Sequence, residues 1–130
     1  KTEIPKGPRY WVMAVDDTAV SKRGLDMLLR LVNPRDTLHL VHFTTRNTVF
    51  GIDQHTDKYY NQELQEVGPV DSKFEYVEYP IETHITDAIT EYINDSKADV
   101  FAIAPRAKRD RSSITDYIVN NLYVSVLLCK

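Results

Sequence analysis

Two short stretches of the chain carry residue types that could do chemistry. The first reads Val15-Asp16-Asp17-Thr18-Ala19-Val20-Ser21 and sets two carboxylates beside hydroxyls directly after an apolar run. Adjacent carboxylates there can accept hydrogen bonds from a base or ribose, or hold a divalent cation. The same residues also suit a plainer purpose, because Asp17 or Thr18 can cap a helix and acidic charge complements the helix dipole. The second stretch holds Arg106, Lys108, Arg109 and Arg111, followed by Ser112 and Ser113 where a helix should begin. Cations, unpaired amides and hydroxyls at a helix N-terminus make an anion site, with a solvated charged loop as the plainer alternative. Glycine is missing from this stretch. Ala104, Pro105 and Ala107 do not easily give the backbone freedom that a phosphate cradle demands, and Pro105 has no amide to donate.

Other candidates carry less. His42 and Phe43 close a second apolar run and would line the crevice that open parallel sheets form beyond their strand ends. His39 and His42, three apart on a strand, point to opposite faces and cannot share a metal there. Asp53, His55 and Asp57 have a spacing compatible with a cation, or with a solvated polar loop. Tyr59 and Tyr60 are expected to pack a helix onto a sheet, and Cys129 to behave as a buried small hydrophobe. The chain contains no GxxxxGK[ST], GxGxxG, HExxH or GxSxG pattern. No residue is therefore assigned a catalytic role and no metal is expected.

The elements that must position these residues alternate in type. Residues 1–8, with Pro5, Gly7 and Pro8, read as a linker or disordered lead-in, and residues 9–130 as one domain. Tyr10 to Val15 is unbroken apolar, as a central parallel strand should be. Leu25, Leu28, Leu29 and Val32 mark an amphipathic helix ending at Asn33-Pro34. Thr37 to Phe43 is a second strand, Thr44 to Gln54 a loop and Asp57 to Val67 a short helix. Lys73 to Tyr79 carries charge and suits an edge strand. Ile81, Ile85, Ala88, Ile89 and Ile93 stripe another helix. Val100 to Ala104, Ser113 to Asn121 and Val124 to Leu128 complete the pattern as strand, helix and strand. Such alternation predicts an α/β fold: a parallel sheet with right-handed crossovers and helices on both faces, binding ligands beyond its carboxyl edge.

Composition sets outer bounds. The chain has 130 residues, 42% of them hydrophobic and 27% charged, as in an ordinary globular domain. A net charge of -3 argues against a general nucleic-acid binder. The single cysteine rules out an internal disulfide and suits a reducing, cytoplasmic setting. No apolar run approaches the roughly 18–20 residues that span a bilayer, so no membrane association is expected.

Taken in order, these elements resemble the universal stress protein family across the whole domain. That family opens with a strand, then Asp-Gly-Ser and a second Ser three residues on; Asp16-Asp17-Thr18 and Ser21 hold those places. The family's second strand ends in a run similar to Leu40-Val41-His42-Phe43. Its fourth strand resembles Ala98 to Ile103, and its last helix and strand resemble Ser113 to Cys129. The resemblance implies a five-stranded sheet of order 3-2-1-4-5, with Asp16 and Val41 at an adenosine and Ser112 and Ser113 at phosphates. In nucleotide-binding members the fourth loop runs Gly, two residues, Gly, nine residues, then Gly-Ser or Gly-Thr. Ala104, Ala107 and Ser112-Ser113 hold the matching places here, with four residues between Ala107 and Ser112. Members without these glycines generally do not retain ATP. The resemblance also implies a homodimer through the last strand, at Val124, Val126 and Leu128.

The reading that follows is a non-catalytic sensory or interaction module, a dimer, set beside partner domains of a larger parent protein. Two alternatives stay open. One is a binder of ATP, AMP or a phosphometabolite that uses Arg106 and Arg109 in place of the glycine loop. The other is a receiver-like phosphoacceptor domain, which Val15-Asp16-Asp17 also resembles. That chemistry needs a further Asp at a strand end, for which Asp53 is the candidate, and a Lys after a later strand, where Arg106 and Lys108 stand nearest.

Overall fold

A computed structural model describes residues 7–45, 54–104, 116–122 and 124–129 of the chain. The order of elements is β1 (Tyr10–Ala14), α1 (Ala19–Leu29), β2 (Thr37–Thr45), α2 (Gln54–Val67), β3 (Asp71–Tyr79), α3 (Ile85–Ser96), β4 (Val100–Ile103), α4 (Asp116–Asn121) and β5 (Ser125–Leu128). The strands form one sheet of order β3-β2-β1-β4-β5, and all four pairings are parallel. This is the expected order. A receiver domain has order 2-1-3-4-5, with its first strand between the second and third. Here β1 lies between β2 and β4, so the receiver alternative is corrected by topology.

Period-two alternation divides the strand residues between two cores. Trp11 and Met13 of β1, with Leu38 and Leu40 of β2, pack against Leu25 and Leu28 of α1 and Tyr60 and Leu64 of α2. Val12, Val41 and Phe101 point the other way, toward Ile89 and Ile93 of α3, Ile118 of α4 and Leu122 just beyond it. Each large side chain fully buried in this way contributes about 1.5–3 kcal/mol.

At the amino edge of the sheet, Asp36 is a buried polar anchor. Its Oδ1 accepts the Arg9 amide, and its Oδ2 accepts the Asn33 amide and the Trp11 indole N–H, each at 2.9 Å. Burial alone would push this carboxyl up. The Asn33, Arg9 and Trp11 hydrogen bonds outweigh that and hold it below its ordinary range.

Several boundaries differ from the sequence reading. Thr44 and Thr45 extend β2, and α2 begins at Gln54, three residues earlier than its apolar pattern suggests. Helix α1 stops at Leu29, leaving Leu31 half exposed beyond it. Ile81 lies outside α3 and is 59% exposed, because His84 caps that helix only three residues later. Among the described residues, no helix is long and apolar enough to cross a membrane.

Candidate functional site

Strand β1 delivers Val15 and Asp16 to the carboxyl edge of the sheet, where β2 presents His42 and β4 presents Ala104. The turn into α1 is built by its own side chains. The Asp16 carboxylate accepts the Thr18 amide at 2.9 Å and the Thr18 hydroxyl as well. Thr18 is extended at φ -79° and ψ 154°, and its hydroxyl oxygen accepts the Ser21 amide, which makes it the N-cap of α1. Asp17 stays exposed, with Lys22 Nζ at 3.5 Å from its carboxylate and 4.6 Å above the Tyr59 ring. Thr18, not Asp17, is therefore the cap.

A second group of hydrogen bonds locks this turn to α2. The Asp16 amide donates to Ser21 Oγ at 3.0 Å, and Tyr60 donates to the Asp16 carbonyl at 2.7 Å. Ser21 Oγ and the Tyr60 hydroxyl lie 3.0 Å apart. If Ser21 donates to Tyr60, all three bonds run in one direction around a closed ring, each strengthening the next. The Tyr60 ring is fully buried and stacks on Phe74 at 5.6 Å and 11°. Burial, reinforced by the Asp16 charge, drives the Tyr60 phenol well above its ordinary pKa, so it remains a donor at any ordinary pH.

His42 sits on the same face. Its Nδ1 donates to the Val15 carbonyl at 2.9 Å, which fixes the tautomer, and its ring meets the edge of Tyr76 at 5.6 Å. His39 points to the opposite face, where its Nδ1 is 2.9 Å from the Tyr10 hydroxyl, in line with the spacing argument. Val41 is fully buried among the α3-side core, and its carbonyl accepts the Val15 amide at 2.9 Å. As placed, it is a core residue whose carbonyl belongs to the ladder.

Ala104 leaves β4 under α1. A Cβ added to Gly24 of α1 would come within 2.8 Å of Ala104 Cβ, 3.2 Å of Met13 Cε and 3.3 Å of Cys129 Cβ. The missing side chain is what lets α1 sit this close to the ends of β1, β4 and β5. Cys129 is buried, and burial raises its thiol pKa, as for an unreactive hydrophobe. Val124 and Val126 pack half-buried on the α3-side core, β5 has β4 as its neighbour in the sheet, and Leu128 is likewise partly buried.

The structure thus brings Asp16, Thr18, His42 and Ala104 to one edge. Arg106, Lys108, Arg109, Arg111, Ser112 and Ser113 lie outside the described residues, as do Asp53 and the side chain of His55. Among the described residues, no three His, Cys, Asp or Glu side chains cluster as metal ligands. Sequence reasoning missed Tyr60 as part of this edge. It stands 44 residues from Asp16, and nothing in its local pattern distinguishes it from a packing aromatic.

The sequence matches no protein-family model and no curated protein. Solved structures do match. A universal stress protein from Archaeoglobus fulgidus superposes with a TM-score of 0.73 at 18% identity, over 94% of this chain and 93% of that one. A universal stress protein in complex with cAMP gives 0.72 at 16% identity, over 93% and 95%. A universal stress protein family protein from Arabidopsis thaliana with AMP bound gives 0.68 at 14% identity, over 95% and 92%. In strand order, coverage and superposition, this chain has the fold of the universal stress proteins.

Proposed function

We propose that this chain is a non-catalytic sensory or interaction module on the universal stress protein fold. It pairs with a second copy through β5 and does not hold ATP as the glycine-loop members do. One observation carries this reading: the hydrogen-bonded ring through Asp16, Ser21 and Tyr60, together with the Asp16–Thr18 turn. A ribose or base approaching Asp16 Oδ1 would compete there with the Thr18 amide and hydroxyl, which hold the N-cap of α1. The Ser21 hydroxyl bonds to Tyr60 and to the Asp16 amide rather than to a base, so it is not arranged as an activated nucleophile. The pairing reading rests on β5 being an edge strand with apolar residues at alternate positions.

A second reading has a specific observation in its favour. Proteins of the same fold are known in complex with cAMP, dAMP and AMP. On that reading Arg106, Arg109, Ser112 and Ser113 would supply the anion contacts that the missing glycines do not. Denaturing the purified protein and identifying the released small molecules separates the two. The first reading expects no nucleotide. Near-stoichiometric AMP or ATP would refute it and establish the second.

A further inference from the structure

A cavity of about 650 Å³ lies between α3 and the carboxyl half of β3, and none of Asp16, Thr18, His42 or Ala104 lines it. Tyr10, Tyr79, Tyr92 and Val77 supply its aromatic and apolar lining. Two of these phenols are anchored behind the wall. Tyr10 OH is 2.9 Å from His39 Nδ1, Tyr92 donates to Glu75 Oε1 at 2.9 Å, and His39 Nε2 lies 3.7 Å from the same Glu75 oxygen. The rings are therefore held in place before any ligand arrives.

Glu91 and Asp95 of α3 add two exposed carboxylates to the lining, four residues apart and so on one helix face. Neither has a cationic partner among the described residues. From Ile85 to Ser96, α3 carries Asp87, Glu91 and Asp95 and no Lys, Arg or His. Like charges at this spacing repel, and Asp95 stands in the last turn, where the helix dipole disfavours an anion. Such local conflicts concentrate where a protein meets a partner. Anchored aromatic side chains beside carboxylates without a cationic partner are the recognition chemistry of an organic cation. The volume falls within the roughly 300–1,000 Å³ of small-molecule pockets.

We propose that this cavity binds a small organic amine, its ammonium held by Glu91 and Asp95 and its apolar body laid against Tyr10, Tyr79 and Tyr92. The test is a titration of the isotope-labelled protein followed by amide NMR, with phenethylamine as probe and the uncharged phenethyl alcohol in parallel. The amine should give saturable shifts at Val77, Tyr79 and Tyr92, with an apparent Kd near or below about 1 mM. The alcohol should not saturate. The variant Glu91→Gln/Asp95→Asn alters exposed side chains and should keep the wild-type peak dispersion while weakening amine binding about tenfold. Absence of saturation with the amine, an equal response to the alcohol, shifts confined to another surface, or undiminished binding by the variant would each overturn the proposal.

Discussion

Replacing Asp36 with Asn removes one charge and almost no volume from a side chain that is 1% exposed. The carboxylate receives three N–H donors, one on Oδ1 and two on Oδ2. An amide has a single oxygen. Turned toward Trp11 and Asn33, it keeps two neutral hydrogen bonds and aims its own N–H₂ at the Arg9 amide. Hydrogen bonds to a charged group contribute about 1.5–3 kcal/mol each against about 1 for neutral ones, and an orphaned buried donor costs a further 1–3. Relief of the buried charge offsets part of this. The net loss should be about 3 kcal/mol at neutral pH, or roughly 10 °C in Tm for a chain of this size. The pH dependence checks the mechanism. A carboxyl held below its unfolded value of 3.8 contributes stability above that pH and loses it as pH falls through the folded value. Urea denaturation of both proteins from pH 7 downward should therefore show the gap closing in acid. A gap under about 1 kcal/mol at pH 7, or one that stays constant into acid, would refute the reasoning.

Four further outcomes follow from the same geometry. Gly24→Ala gains about 1 kcal/mol of helix propensity but meets Ala104 Cβ, which is fixed to backbone and cannot swing away; overpacking at about 1–3 kcal/mol should win, lowering the urea midpoint. Tyr60→Phe keeps the stack on Phe74 and loses the hydroxyl that closes the ring at Asp16 and Ser21, so it should cost about 1–2 kcal/mol by the same assay. Tyr117→Phe, which breaks an exposed bond to Asp87, should by contrast leave the urea midpoint at its wild-type value. Val126→Lys should convert the expected dimer to a monomer in light scattering while circular dichroism stays native; a wild-type chain already monomeric at high concentration would end the pairing proposal.

Much of the fold was legible because parallel strands covered on both faces must be apolar throughout. Tyr10 to Val15 and Val100 to Ala104 announce themselves in that way, and Leu25 and Leu28 mark the buried stripe of α1. Boundaries were harder. Thr44 and Thr45 read as loop, but their backbone pairs in register with Glu78 and Tyr79, a fact of the partner strand rather than of their own types. The site was legible in part. Asp16 and Thr18 fall at a strand end and a cap by local chemistry alone. Tyr60 joins them only through tertiary packing, and Asp36, the best-satisfied carboxylate of the amino edge, carries no motif at all. Val41 stood out through family likeness, whereas its own β-branched, apolar character already pointed to the core it occupies.

Thermal unfolding with and without millimolar ATP and magnesium tests the central claim most directly. A ligand at about 100 times its Kd adds roughly 2.7 kcal/mol to stability, which for this chain is a rise of several degrees. With the strand-end groups bonded to one another and no glycine in the fourth loop, the melting temperature should not move. A rise of several degrees, lost in Arg106→Ala/Arg109→Ala, would contradict the account and show that the basic loop serves as a nucleotide site.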